Sequence, residues 1–214
     1  MDFQIECLTV GQIDTNCYLA VRRDTKELLI VDPGDEEERI EHVITYMEGR
    51  PVAILLTHGH FDHILAAEGL KAKYRVPIYA CQEEEDLLLD PSFNMSSRFG
   101  DAFTLSADRY LSDGQEVTLA GTKVCCYHTP GHTPGGCCFY LPEEGILFSG
   151  DTLFYGSVGR TDFPGGNGFD LKKSLLRLVS LLPEDTKVYP GHGPDTTIDY
   201  EKRLNPYVTG QYML

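Results

Sequence analysis

Five of the seven histidines in this 214-residue chain occupy settings suited to holding a cation. His58, His60 and His63 fall within six residues, with Asp62 among them, in "LLTHGHFDHI" (55–64). His132 lies between Gly131 and Thr133-Pro134, His192 lies between Gly191 and Gly193, and Asp151 follows Gly150. Imidazole and carboxylate are ligands that zinc takes at about 2.0–2.2 Å. Residues i and i+2 of an extended segment point the same way, so His58 and His60 can grip one ion. After the chain turns, Asp62 and His63 can aim at a neighbouring ion, and Asp151 can bridge the two. Glycines beside His132 and His192 let the backbone come close to a crowded centre. Five His and two Asp exceed the four contacts of one tetrahedral structural site. They suit a pair of ions roughly 3.5–4 Å apart that share a hydroxide. The set contains no Cys, so thiolate-only chemistry is not indicated. His42, within an acidic helix, and His128, ahead of the His132 loop, read as surface, packing or hydrogen-bonding residues.

The elements must bring these positions together. Residues 1–34 read as three strands, the last stopped by "DPG". "EEERIEHVITYME" places Ile40, Val43, Ile44 and Met47 at helical spacing. "VAILL" (52–56) is a short apolar strand, and the His-rich run stands at its C-terminal end. "DHILAAEGLKAKY" reads as one helix and "PIYA" as the next strand, an order that implies partly parallel pairing. From 109 onward strands dominate, followed by an amphipathic helix "FDLKKSLLRLVSLL" with Asp170 as its expected N-cap. "KVYPG" is a last strand, and "YEKRLN" a short helix stopped at Pro206. The expectation is a single α/β domain over 1–214, in two similar halves of about 1–108 and 109–214, with no flexible linker. Four apolar strands end in loops that hold His or Asp: "LLTHGHFDH", "CCYHTPGHTPG", "LFSGD" and "VYPGHG". Sites in α/β sheets gather outside the carboxyl ends of strands.

Composition narrows the function. A formal charge of -15 disfavours nucleic acid, whose phosphates need clustered Lys and Arg. The acidic runs "DEEERIE" (35–41) and "QEEED" (82–86) read as solvated helix faces. No stretch approaches 18 apolar residues, so no membrane span is expected. "MDFQIECLTV" lacks a basic n-region and a long apolar core, so no signal peptide is expected either. Seven cysteines, with no C-x-x-C among them, fit free thiols in a reducing cytoplasm. The pairs Cys125-Cys126 and Cys137-Cys138 read as small buried hydrophobes. Nothing in the sequence specifies an oligomer.

The H-x-H-x-D-H run with the later His, Asp and His resembles the metallo-β-lactamase superfamily. The likeness runs along the whole chain, through "VDPG", "THGHFDH", "PGHTPG", "SGDTLF" and "PGHG". It implies a four-layer αβ/βα sandwich with the site along one edge. It also implies that His58, His60 and His132 hold a first metal, that Asp62, His63 and His192 hold a second, and that Asp151 bridges. Asp32 matches the family's supporting acid, Thr57 sits beside the ligands, and Asp62 also handles protons. Zinc is the expected metal, with iron or manganese as alternatives.

Within the superfamily the chain is similar to the glyoxalase II group, the hydroxyacylglutathione hydrolases, through "GSVGRTDFPGG" (156–166) and "YPGHGPDTTIDYEKRLNPYV" (189–208). The resemblance implies that a metal-bridging hydroxide attacks a small-molecule thioester such as S-lactoylglutathione. Full-length members carry a C-terminal helical domain that contacts glutathione. Here 22 residues follow His192, with Lys202 and Arg203 as their basic side chains. Arg160 can bind a substrate carboxylate or pair with Asp162, and Tyr155 and Phe163 are candidate pocket walls. Two other superfamily activities stay open. A persulfide dioxygenase with one iron shares a GRTDF-type loop, and a lactonase is the other hydrolytic reading.

Overall fold

A computed structural model describes residues 2–214. Strands β1 (Phe3–Val10) and β2 (Thr15–Arg22) pair antiparallel, and β2 pairs antiparallel with β3 (Glu27–Val31). Helix α1 (Glu37–Tyr46) crosses back, so β4 (Arg50–Leu55) lies parallel to β3. Helices α2 (Phe61–Ile64) and α3 (Ala67–Tyr74) lead to β5 (Ile78–Cys81), parallel again. A 3-10 turn (Gln82–Glu84), α4 (Glu85–Leu88) and α5 (Ser96–Phe99) precede β6 (Arg109–Leu111). The six strands form one sheet in the order β1-β2-β3-β4-β5-β6.

The second sheet begins with an antiparallel meander of β7 (Glu116–Leu119), β8 (Thr122–His128), β9 (Cys137–Leu141) and β10 (Ile146–Gly150). A small hairpin, β11 (Leu153–Phe154) and β12 (Ser157–Val158), follows. Helix α6 (Gly168–Leu181) then crosses back, and β13 (Lys187–Pro190) joins β10 in parallel. Strand β14 (Thr196–Thr197) and helices α7 (Ile198–Leu204) and α8 (Pro206–Thr209) follow. The order is β14-β13-β10-β9-β8-β7.

Buried side chains define four layers. Phe3, Leu29 and Leu55 of the first sheet meet Val124, Phe139 and Phe148 of the second. Ile40, Ile44 and Leu70 cover the outer face of the first sheet against Leu19, Ile30 and Ile54. Leu171, Leu175, Leu178 and Ile198 cover the second against Leu147 and Val188. This is the expected αβ/βα sandwich. The cysteine pairs follow strand alternation: Cys126 and Cys137 face the other sheet, while Cys125 and Cys138 face the helices. Six of the seven cysteines are buried and all are free thiols.

The structure departs from the sequence reading in four places. The helix expected over "DHILAAEGLKAKY" is two helices, because the Ala66 amide donates to Pro33 O (3.0 Å) rather than continuing α2. The N-cap of α6 is Asn167, not Asp170. Its side chain accepts from the Phe169 and Asp170 amides at 3.0 and 3.2 Å. Asp170 sits instead in the first turn, where the helix dipole favours an anion. Pro206 does follow the end of α7, but it also opens α8 at its first position, where a missing N–H costs nothing. Finally, β6 belongs to the first sheet, so the first half runs through Leu111 rather than to about 108. Among the described residues no helix is long and apolar enough to cross a membrane.

Candidate metal centre

The carboxyl ends of β3, β4, β8, β10 and β13 deliver Asp32, the 57–63 run, His132, Asp151 and His192 to one edge of the sandwich. Backbone bonds lock these loops to one another. The Cys137 amide donates to Thr57 O at 2.8 Å and the Asn16 amide to Gly191 O at 2.7 Å. The Asn16 side chain donates to Pro190 O (3.0 Å) and Gly193 O (2.8 Å). The Tyr18 hydroxyl donates to Pro190 O as well, at 2.7 Å. The glycine expectation holds at Gly191, where a Cβ would stand 2.1 Å from Asp151 Oδ1 and 2.7 Å from His63 Cε1. It fails at Gly131, whose α-carbon packs on Leu171 of α6 instead: a Cβ there would meet Leu171 N at 2.3 Å.

All seven expected residues come together. Donor atoms of His58, His60 and His132 lie within 4.8 Å of one another, as do those of Asp62, His63 and His192, and those of His58, His63 and Asp151. His60 Nδ1 and His132 Nε2 approach to 2.9 Å. Asp62 Oδ2 is 3.3 Å from His63 Nε2 and 3.4 Å from His192 Nε2. The Asp151 carboxylate stands between the groups. Its Oδ1 is 3.5 Å from His63 Nε2, and its Oδ2 is 3.5 Å from His132 Nε2 and 3.7 Å from His192 Nε2. Buried polar atoms are normally hydrogen-bonded. Here Nε2 of His58, His60 and His63 and Oδ1 of Asp151 are buried with no hydrogen-bond partner. Lone pairs left this way at the centre of a His/Asp cluster fit divalent cations.

Surrounding groups set which ring nitrogen faces inward. Asp32 accepts from the Thr57 amide (2.7 Å) and hydroxyl (2.6 Å), and its Oδ2 lies 3.0 Å from His63 Nδ1. His132 Nδ1–H donates to Arg160 O at 2.8 Å and His192 Nδ1–H to Asp14 O at 3.1 Å, so that each Nε2 faces the cluster. Such partners fix tautomer and orientation in metal sites. Thr15, absent from the sequence-based set, donates its hydroxyl to Asp62 Oδ2 at 2.8 Å. Burial, then the neighbouring imidazoles, hold His58 well below the ordinary histidine range. Burial and then His132 bring His60 down to about 3. Both are therefore neutral at pH 7, the state that binds metal. At His63 burial works downward, but Asp62, Asp151 and Asp32 outweigh it and raise the group. Burial works upward at Asp62, and His63 and His192 outweigh it and hold the carboxyl well below its usual range.

Glu84 also escaped the sequence reading. It belongs to the acidic run "QEEED", expected to be a solvated face, yet it is 1% exposed. Its Oε1 accepts from the Gly59 amide (2.8 Å), and its Oε2 accepts from the Thr133 hydroxyl (3.0 Å) and the Gly135 amide (2.8 Å). One carboxylate thus clips the His58–His60 loop to the His132 loop. Burial pushes it up to about 7 against the pull of those three donors. The only sequence signal is position: Glu84 closes a turn directly after a strand.

A family model, the metallo-beta-lactamase superfamily, matches residues 10–192. The chain belongs to that superfamily. Membership carries the coarse activity, metal-dependent hydrolysis, and the αβ/βα sandwich is the superfamily's fold. Hydroxyacylglutathione hydrolase GloC of Haemophilus influenzae is 38% identical over 212 residues, covering 97% of this chain and 99% of that protein. A solved structure described as the BLEG-1 B3 metallo-beta-lactamase superposes with a TM-score of 0.91 at 40% identity, covering 97% of this chain and 100% of that one. Another, TTHA1623 in a di-iron-bound form, superposes with a TM-score of 0.83 at 38% identity, covering 94% and 99%.

The centre floors an open cleft of about 510 Å³, with Met95, Phe99, Phe154, Val158 and Phe163 among its walls. Phe163 lines it as expected, its ring 5.7 Å from that of His60. Arg160 lines it too, but its guanidinium forks onto Asp162 at 2.6 and 2.7 Å and lies 3.9 Å from the Phe163 ring centroid. Tyr155 is a correction. It stacks on Tyr200 at 4.7 Å and borders a separate small cavity. Its neighbour Phe154 lines the cleft instead, as alternation along β11 requires. Lys202 pairs with Glu184 and Arg203 with Asp199, both on the surface. His128 lies outside the centre, its Nε2–H donated to Pro134 O at 2.8 Å.

Proposed function

We propose that this protein is a metal-dependent thioester hydrolase of the glyoxalase II kind, acting on a small molecule in the reducing cytoplasm, with no nucleic-acid or membrane partner. The observation that carries the reading is the set of buried, unpartnered His and Asp atoms at the floor of an open cleft. A purely structural site would instead be closed off from such a cleft. The near full-length likeness to a hydroxyacylglutathione hydrolase supports the thioester choice. Six buried free thiols support the compartment.

His58, His60 and His132 would hold one cation, Asp62, His63 and His192 a second, with Asp151 shared. Zinc is our choice, and the di-iron form of a 38% identical structure makes iron the alternative. Bound there, the ions supply a water deprotonated near neutral pH and polarise the substrate carbonyl. The chain's own residues do the rest. Asp32 and Thr57 fix the His63 ring, and the Arg160 carbonyl fixes His132. Asp62, kept ionised by His63 and His192 and oriented by Thr15, holds the position to accept a proton from the attacking water and pass it to the departing sulfur. The aromatic walls exclude bulk water from the reacting carbonyl. No side-chain nucleophile is needed.

The test is metal analysis paired with S-lactoylglutathione hydrolysis. Two metals per chain and stoichiometric thiol release are expected. One iron per chain with oxygen consumption on a persulfide, and no thioester turnover, would replace this reading with the dioxygenase. Turnover of lactones alone would replace it with a lactonase.

A further inference from the structure

The cleft over the centre does not end at its own walls. Ile13, Phe61, Asp62 and Phe99 also border a side chamber of about 180 Å³ that continues past Leu65 and Phe103. Phe61 and Phe99 stack at 5.0 Å with their planes 13° apart and form the shared ridge. Three large apolar side chains from separate elements stand open at its rim: Ile13 at 47% exposure, Leu65 at 43% and Phe99 at 50%. Scattered exposed apolar residues are ordinary. These three converge on one opening that leads into the catalytic cleft. Among the described residues no Lys or Arg lines the chamber; its charged members besides Asp62 are Asp35 and Asp101. Arg160, the cationic wall of the main cleft, is already taken by Asp162. An anionic group therefore finds no free cation in the side chamber.

We propose that this trough binds an uncharged, unbranched apolar arm of the substrate, running from the scissile carbonyl over the Phe61–Phe99 stack into the chamber beside Ile13 and Leu65. The inference rests on the thioester hydrolase reading and adds to it a preference for thioesters with one apolar arm. The arm belongs either to the acyl group or to the thiol, and two substrate series tell these apart.

The first series is S-acyl-N-acetylcysteamine from acetyl to decanoyl, a neutral carrier with a growing acyl chain. The second is the thioacetates of linear alkanethiols of the same lengths. With metal-replete protein, kcat/KM is expected to climb about two- to fourfold per methylene in one series, as each added methylene leaves water. It then levels off once the chain outgrows the chamber. Leu65→Gln and Phe99→Ala, both at exposed positions, are expected to flatten that climb. A turnover-free readout accompanies it: calorimetric binding of the thioether S-octyl-N-acetylcysteamine against its S-ethyl counterpart. Tighter binding of the octyl probe, weakened by both variants, supports the trough even if no thioester is hydrolysed, in which case only the hydrolase reading fails. Thioester turnover with no chain-length dependence in either series overturns the trough and leaves the hydrolase standing. A climb or an octyl preference that persists unchanged in both variants also overturns it.

Discussion

Removing the Glu84 carboxylate should loosen the metal centre without touching any ligand. In Glu84→Ala the Gly59 and Gly135 amides, both bonded to it at 2.8 Å, lose their acceptor inside the protein, while the Thr133 hydroxyl can rotate to another partner. Leaving a buried donor unpaired costs about 1–3 kcal/mol each, so the two amides together cost about 2–6 kcal/mol. Against a typical total of about 5–15 kcal/mol, that is a large loss. The loops it joins carry His58, His60 and His132, so the affinity of that group for a cation should fall about 10–100-fold, the usual effect of losing a supporting partner. Urea unfolding of metal-stripped protein measures the first quantity, and Co²⁺ or Zn²⁺ titration the second. Glu84→Gln separates charge from shape. The wild-type carboxyl is raised from 4.5 to about 7 by burial. Its stability contribution is therefore complete below about pH 4.5 and is lost as pH rises through about 7. Relative to Glu84→Gln, wild type should lose on the order of 3 kcal/mol across that window. An alanine variant with stability within about 0.5 kcal/mol of wild type and unchanged metal affinity would refute the clip; a pH-independent gap to Gln would refute the burial argument.

His60→Ala should lower metal content and turnover together, since its Nδ1 lies 2.9 Å from His132 Nε2 at the heart of one donor group; unchanged turnover in metal-replete protein removes His60 from that group. Arg160→Ala should change stability by less than about 1 kcal/mol, because its bond to Asp162 is an exposed ion pair. Thermal unfolding checks this. Tyr155→Ala should leave kcat/KM intact, since the ring stacks on Tyr200 outside the cleft. A rise in KM would return Tyr155 to the pocket wall. His42→Ala, on the acidic helix α1, should leave turnover unchanged, as a standard thiol-release assay would record.

The donors of the centre were legible because their chemistry is local: "THGHFDH" concentrates four of them, and each remaining one closes an apolar strand. Most strands and helices followed from alternation and helical spacing, while the four layers came from the family resemblance. What the sequence hid depends on three-dimensional neighbours. Glu84 is one of four consecutive charged residues, 83 to 86, and only the fold tells which one turns inward. Asn167 outcompetes Asp170 as a cap because the turn after Gly166 starts the helix earlier. Phe154 and Tyr155 are equally aromatic, and their roles are divided by which face of a two-residue strand each occupies. The break between α2 and α3 comes from Pro33, far upstream in the chain, taking the Ala66 amide.

The grip of β2 on the His192 loop has a consequence for how the protein is made. Asn16 donates to Pro190 across 174 residues of chain and to Gly193 across 177. Asn16 is 4% exposed and Tyr18 3%, so neither can leave its polar atoms unpaired cheaply. At about 5–20 residues per second of synthesis, the first strands wait on the order of ten to thirty seconds for their partner to emerge. His58, His60, Asp62 and His63 are present for most of that interval, but His192 is not. The Asp62–His63–His192 group therefore waits for the last of its donors, and a ribosome-bound chain lacking residues 190–193 cannot complete it. Cation loading at that group is in this way tied to synthesis past residue 193.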